Sequence, residues 1–119
     1  MKIWTAIAGL VTILGCGNAV AMTGNELLDS CKNAASDNPT KNTSFTAGFC
    51  LGSMQSIGDL LTFVNAGLKT EARVCLPATV TNGQASRVVV KYLQDNPEKL
   101  HLNGTALVIM AIQKAFPCK

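Results

Sequence analysis

Five cysteines, one histidine and seven carboxylates are the groups in this 119-residue chain that could carry chemistry. The histidine is His101. A Ser-His-Asp or Cys-His relay would have to recruit it, and an isolated histidine in a loop is usually solvated. Asp29, Asp37, Asp59, Glu71, Asp95 and Glu98 offer no pair that spacing alone would join as an acid–base dyad. No glycine pattern follows a strand, so no phosphate cradle is indicated. There is no C-x-x-C, which makes a four-cysteine zinc site a poor fit. No catalytic residue, metal ligand or cofactor is expected. An enzyme is disfavoured.

The cysteines read differently. Lys2 gives a short positive start, residues 3–15 are almost uncharged and apolar, and Ala19-Val20-Ala21 is the small-x-small pattern a signal peptidase cuts after. Residues 1–21 thus read as a cleavable export signal, too short for a membrane span of about 20 apolar residues. Cleavage removes Cys16 and leaves Cys31, Cys50, Cys75 and Cys118. An even set at wide spacing in a small exported chain implies two disulfides. A second reading keeps Cys16, because Ile13-Leu14-Gly15-Cys16 resembles a bacterial lipoprotein box. Leu14 is large for that box, and the Ala-Val-Ala site lies just downstream.

Residues 22–119 have the length of one domain. Without Lys2, nine basic residues face seven acidic ones, a net charge of +2. The basic residues are scattered, so there is no electrostatic case for nucleic acid.

Helical elements must position these groups. Thr23-Gly24-Asn25-Glu26 fits a capping box opening a helix over 24–36, with Leu27, Leu28, Cys31 and Ala35 on one face. Residues 36–42 turn the chain. Thr43 or Ser44 can cap a long second helix, whose stripe is Cys50, Met54, Ile57, Leu61 and Val64, and Gly67 can end it. Gly48 and Gly52, with Gly58 beyond, point to another backbone passing close by. Gly52→Leu would then cost about 1–3 kcal/mol by overpacking.

Residues 68–80 read as irregular. Thr81-Asn82-Gly83-Gln84 is a second capping box, and Ala85, Val88, Val89, Tyr92 and Leu93 continue at helical spacing until Asn96-Pro97. The Val88-Val89-Val90 run favours strand on propensity alone, but the box and the polar Lys91, Gln94 and Asp95 side outweigh it. Asn103 opens a last helix, apolar almost all round and hence expected to be buried, until Pro117-Cys118 stops it. The fold class is all-α, a bundle of about four helices. A hairpin of the first two helices brings Cys31 to Cys50, and Cys75 and Cys118 flank the second helical pair. Of the three connectivities, Cys31–Cys50 with Cys75–Cys118 is expected.

Gly48-Phe49-Cys50-Leu51-Gly52, Cys75-Leu76-Pro77, Val88-Val89-Val90-Lys91-Tyr92-Leu93, Asn96-Pro97-Glu98 and Ala115-Phe116-Pro117-Cys118 occur in that order in a known group. The chain resembles the Rap/Tai family of type VI secretion amidase immunity proteins, from about residue 26 to residue 118. The resemblance implies a periplasmic, all-helical, often dimeric protein that binds and blocks a peptidoglycan-cleaving amidase and has no activity of its own. The shared motifs are mostly apolar, glycine or cysteine and read as scaffold, with Phe49, Leu51 and Phe116 as core packing.

The contact surface has to come from rigidity, because a rigid loop lowers the ordering cost of binding. Residues 95–103, held between two helices and containing Pro97, are one candidate, with Asp95, Glu98, Lys99 and His101 as partner-binding residues. Residues 68–79, anchored by Cys75, are the other. A small periplasmic acid-stress chaperone is the alternative function.

Overall fold

The capping sequence at Thr23 forms both halves of the box its spacing predicts, and the one at Thr81 forms only the half made by the threonine side chain. In the computed structural model, which describes residues 21–36 and 44–119, the Thr23 N–H donates to the Glu26 carboxylate at 2.7 Å and the Thr23 hydroxyl accepts from the Glu26 N–H. This box opens α1, Gly24–Ala34. Thr81 accepts from the Gln84 N–H and opens α3, Asn82–Asp95. Asn103 accepts from the Ala106 N–H and opens α4, Gly104–Ala115. The valine run is helical, with Val89 and Val90 buried. The cap at Thr43 and the export signal lie outside the described residues, apart from the exposed Ala21.

The remaining long helix, α2, spans Ser44–Val64. It ends three residues before Gly67, and a 3-10 turn over Asn65–Gly67 completes it. Asn65 explains the early stop: its side chain accepts from the Val74 N–H at 3.1 Å and donates to the Val74 carbonyl. That pairing draws the chain off the helix axis. The connector is more ordered than its composition suggested. It contains a 3-10 turn over Thr70–Ala72, and Val74 bridges antiparallel to Pro117.

The helices share one core. Leu27, Cys31, Cys50, Met54, Ile57 and Leu61 meet Val89, Leu93, Leu107, Val108 and Ile112. The α1–α2 hairpin is closed by Cys31–Cys50, Cα atoms 5.2 Å apart, with both cysteines fully buried. Cys75–Cys118, at 4.9 Å, ties the connector to the C-terminus. Among the described residues the one buried polar side chain is Ser86, which donates to the Asn82 carbonyl at 2.8 Å and sits 3.5 Å from the Cys50 sulfur. A buried hydroxyl with a partner avoids the desolvation penalty of an orphan.

Three expectations need correction. Nothing in the described residues lies within 4 Å of where a Cβ would stand on Gly48 or Gly52. No helix among the described residues passes there, so Gly52→Leu meets open space rather than overpacking the core. Phe49 is not core but 46% exposed. It sits on the far side of α2 from Cys50 and Met54, because one residue along a helix turns about 100°. Finally, α4 is not buried all round, since Met110 faces outward.

The glycines that need to be glycine are elsewhere. A Cβ on Gly104 would stand 3.0 Å from the Met22 carbonyl oxygen and 3.2 Å from that of Thr23. One on Gly24 would stand 3.0 Å from the Leu100 backbone and collide with the Leu107 side chain. The first turns of α1 and α4 approach each other backbone to backbone.

Candidate functional site

The segment between α3 and α4 is short and hydrogen-bonded along its length. Asn96 ends α3 and donates its side-chain amide to the Tyr92 carbonyl at 2.7 Å. Pro97, with φ fixed near −65°, then starts a single 3-10 turn, Pro97–Lys99. The Lys99, Leu100 and Leu102 amides donate back to Asn96, Pro97 and Lys99 at 2.9–3.3 Å. From outside the loop, the amides of Asn25 and Gly24 donate to the Leu100 and Leu102 carbonyls, each at 3.0 Å. Those two amides are first-turn donors with no partner inside their own helix. The N-terminus of α1 therefore holds the loop, and the loop satisfies that N-terminus.

The four residues singled out from sequence divide into two pairs. Glu98 and His101 are exposed at the outer turn of the loop, next to Leu102, which is 38% exposed. Asp95 and Lys99 are engaged inside the chain. Asp95 accepts from Lys91 at 3.0 Å, an exposed i,i+4 pair of small energetic weight. Lys99 is half-buried, and its ammonium donates to Asn96 Oδ1 at 3.0 Å and to the Tyr92 hydroxyl at 3.3 Å. That ammonium lies 5.4 Å from the Tyr92 ring centre, and Lys114 lies 5.8 Å from it. Both distances are within cation–π range. Lys99 fastens the loop to α3.

The charge around the loop is mixed. Lys99 and Lys114 flank the Tyr92 ring, Lys91 pairs with Asp95, and Glu98 is exposed on the loop itself. At the α1 anchor, the Glu26 carboxyl is held below its ordinary range by the Thr23 backbone N–H, then by the Thr23 hydroxyl. A shallow hollow of about 260 Å³ lies beside the loop, floored by Val88, Tyr92 and Ala111. Nothing in this arrangement pairs a nucleophile with a base. It presents a stiff, small, mixed-polarity knob.

The second candidate is anchored as well. Arg73 Nε donates to the Leu68 carbonyl, Gln113 donates to the Ala72 carbonyl, and the Cys75 amide donates to the Phe116 carbonyl, all at 2.7–2.9 Å. Lys69, Glu71 and Pro77 to Thr79 are exposed.

A family model, described as Rap1a immunity proteins, matches residues 23–118. The chain belongs to that family. The match runs from the cap of α1 to the last cysteine and takes in all four helices and both disulfides. A Rap1a immunity protein is an inhibitor that binds a secreted effector, not an enzyme. No curated protein and no solved structure matches the chain. Among the described residues no helix is long and apolar enough to cross a membrane.

The sequence reading missed the outer face of α2. Phe45 and Phe63 are each 85% exposed, and Leu60 is 51% exposed. A signal was available, because α2 has one charged residue, Asp59, and carries apolar side chains on two opposite faces.

Proposed function

We propose that this protein is a periplasmic immunity protein that binds a type VI secreted peptidoglycan amidase and blocks its cleft with residues 95–103. Membership of an immunity family supports the inhibitor class. The export-signal pattern of residues 1–21 and two disulfides suit an oxidising compartment, where the amidase would meet peptidoglycan. The amidase class comes from the Rap/Tai resemblance. Pairing of two copies belongs to the same reading and would present two loops.

The observation that carries the choice of loop is its double anchoring. It is held by α3 through Lys99 and Asn96 and by α1 through Asn25 and Gly24, while Glu98, His101 and Leu102 remain outward. Such a loop loses little conformational freedom on binding.

The test is affinity for a peptidoglycan amidase encoded in the same genome, one beside this gene being the first choice, by calorimetry. The double variant Glu98→Ala/His101→Ala should lose about tenfold or more in affinity, roughly 1.4 kcal/mol, with an unchanged helical circular dichroism spectrum. Unchanged affinity would move the site to residues 68–79. No binding by the wild-type protein would end the immunity reading for this effector class.

A further inference from the structure

Beside the loop, the described residues leave two hydrogen-bond donors without an oxygen acceptor, and both belong to the group around Tyr92. The Tyr92 hydroxyl oxygen already accepts from the Lys99 ammonium at 3.3 Å, so its own proton points elsewhere. What that proton meets is the Met110 sulfur at 3.9 Å, a weak acceptor at long range. The ammonium also polarises the O–H and makes it a better donor. The second donor is Lys114, in the last turn of α4. It is exposed and lies 5.8 Å from the Tyr92 ring centre. The ion pairs among the described residues are Lys32–Asp29 and Lys91–Asp95, and neither involves it.

Charge and size decide what the hollow at this point can take. Over its floor of Val88, Tyr92 and Ala111, the wall carries Lys91, Asp95 and Lys114. Lys91 and Asp95 offset each other at 3.0 Å, which leaves the Lys114 charge unbalanced. Nearby, Lys99 adds one positive charge and the exposed Glu98 one negative. One free ammonium beside one phenol O–H suits a monoanion. A phosphate is usually held by a bidentate arginine or several charged donors, and Asp95 in the wall repels a second negative charge. At about 260 Å³ the hollow is smaller than the roughly 300–1,000 Å³ of small-molecule sites. It has room for one side chain. We propose that this hollow receives a glutamate side chain of the partner protein. Its methylenes lie on the Tyr92 ring, and its carboxylate is taken by the Tyr92 O–H and the Lys114 ammonium. The partner is the source because the hollow is continuous with the loop: Tyr92 accepts from Asn96 through its carbonyl and from Lys99 through its hydroxyl. The contact rests on the proposed function. The loop fills the cleft, and the hollow reads an acidic residue at the cleft's rim.

The experiment has two arms, both on the oxidised protein expressed from the full 119-residue sequence. In the first, acetyl-Gly-Glu-Gly-amide is titrated in and followed by amide proton–nitrogen NMR, with acetyl-Gly-Gln-Gly-amide as the uncharged control. The glutamate peptide should give saturable shifts centred on Val88, Tyr92 and Lys114, with a Kd on the order of 1–10 mM. Lys114→Gln and Tyr92→Phe should each weaken it about threefold or more, and Lys114→Arg should keep it, with one circular dichroism spectrum throughout. Equal shifts from the glutamine peptide, or a Lys114→Gln titration like wild type, overturn the carboxylate site. In the second arm, calorimetry measures the same variants against the amidase. Lys114→Gln should lose about threefold or more in affinity at low salt, and less at high salt. Amidase binding unchanged by both Lys114→Gln and Tyr92→Phe overturns the partner assignment and leaves the loop reading standing. A wild type that binds no amidase ends the loop reading and the partner assignment for that effector, while the peptide arm still decides the carboxylate site.

Discussion

Thr23 and Asn103, the capping residues of α1 and α4, face each other across an antiparallel bridge. Around them the Gly24 amide donates to the Leu102 carbonyl at 3.0 Å and the Gly104 amide to the Met22 carbonyl at 2.7 Å. Two helix starts, 80 residues apart in sequence, thus satisfy each other's unpaired amides. The candidate binding loop is the chain that leads into one of them. Its position depends on how closely the two starts approach, which their glycines permit.

That contact predicts the cost of added bulk. Gly104→Ala places a methyl 3.0 Å from the Met22 carbonyl oxygen, where backbone has to move. We expect a loss of about 1–3 kcal/mol, measured by urea unfolding. Gly48→Ala meets open space in an exposed part of α2, and should gain up to about 1 kcal/mol in the same assay. Equal effects at the two positions would contradict the packing.

The Glu26 cap predicts a pH dependence. Its carboxyl is held below its ordinary value of 4.5 by hydrogen bonds that exist only in the folded state. A depressed folded-state pKa contributes stability that is fully present above the unfolded value and is lost as pH falls through the folded one. Glu26→Gln should therefore be less stable than wild type at pH 7, with the gap closing below pH 4.5. A gap that persists undiminished at pH 2–3 would show that the charge on Glu26 is irrelevant.

The disulfides should differ in access and in weight. Cys31 and Cys50 are fully buried, while Cys75 is exposed. Mild reductant followed by alkylation and mass spectrometry should label Cys75 and Cys118 first. The longer span, 43 residues against 19, gives Cys75–Cys118 the larger loop-closure effect, roughly 4 against 3 kcal/mol in the chain-entropy model. Early labelling of Cys31 would mean that the α1–α2 hairpin opens more readily than its burial implies.

Local signals in the sequence were enough for the elements and their pairing. Thr23, Thr81 and Asn103 cap their helices because a side-chain oxygen three residues ahead of a free amide is a short-range geometry. Cys31 and Cys50 could be matched because a hairpin of neighbouring helices leaves them little choice. The apolar stripe of α2 was read correctly on its core side. What only the tertiary structure decided was which residues of the same type are used where. Gly24 and Gly104 are the close-packed glycines, and Gly48 and Gly52 are open, because close approach depends on elements far apart in the chain. Lys99 turns inward and Glu98 outward for the same reason: Tyr92 and Asn96 offer the ammonium a ring face and an oxygen. Phe49 and Cys50 are adjacent in sequence, but among the described residues the other helices pack against the Cys50 side of α2. Periodicity tells that an apolar residue lies on a face; the packing of the other helices decides whether that face is covered.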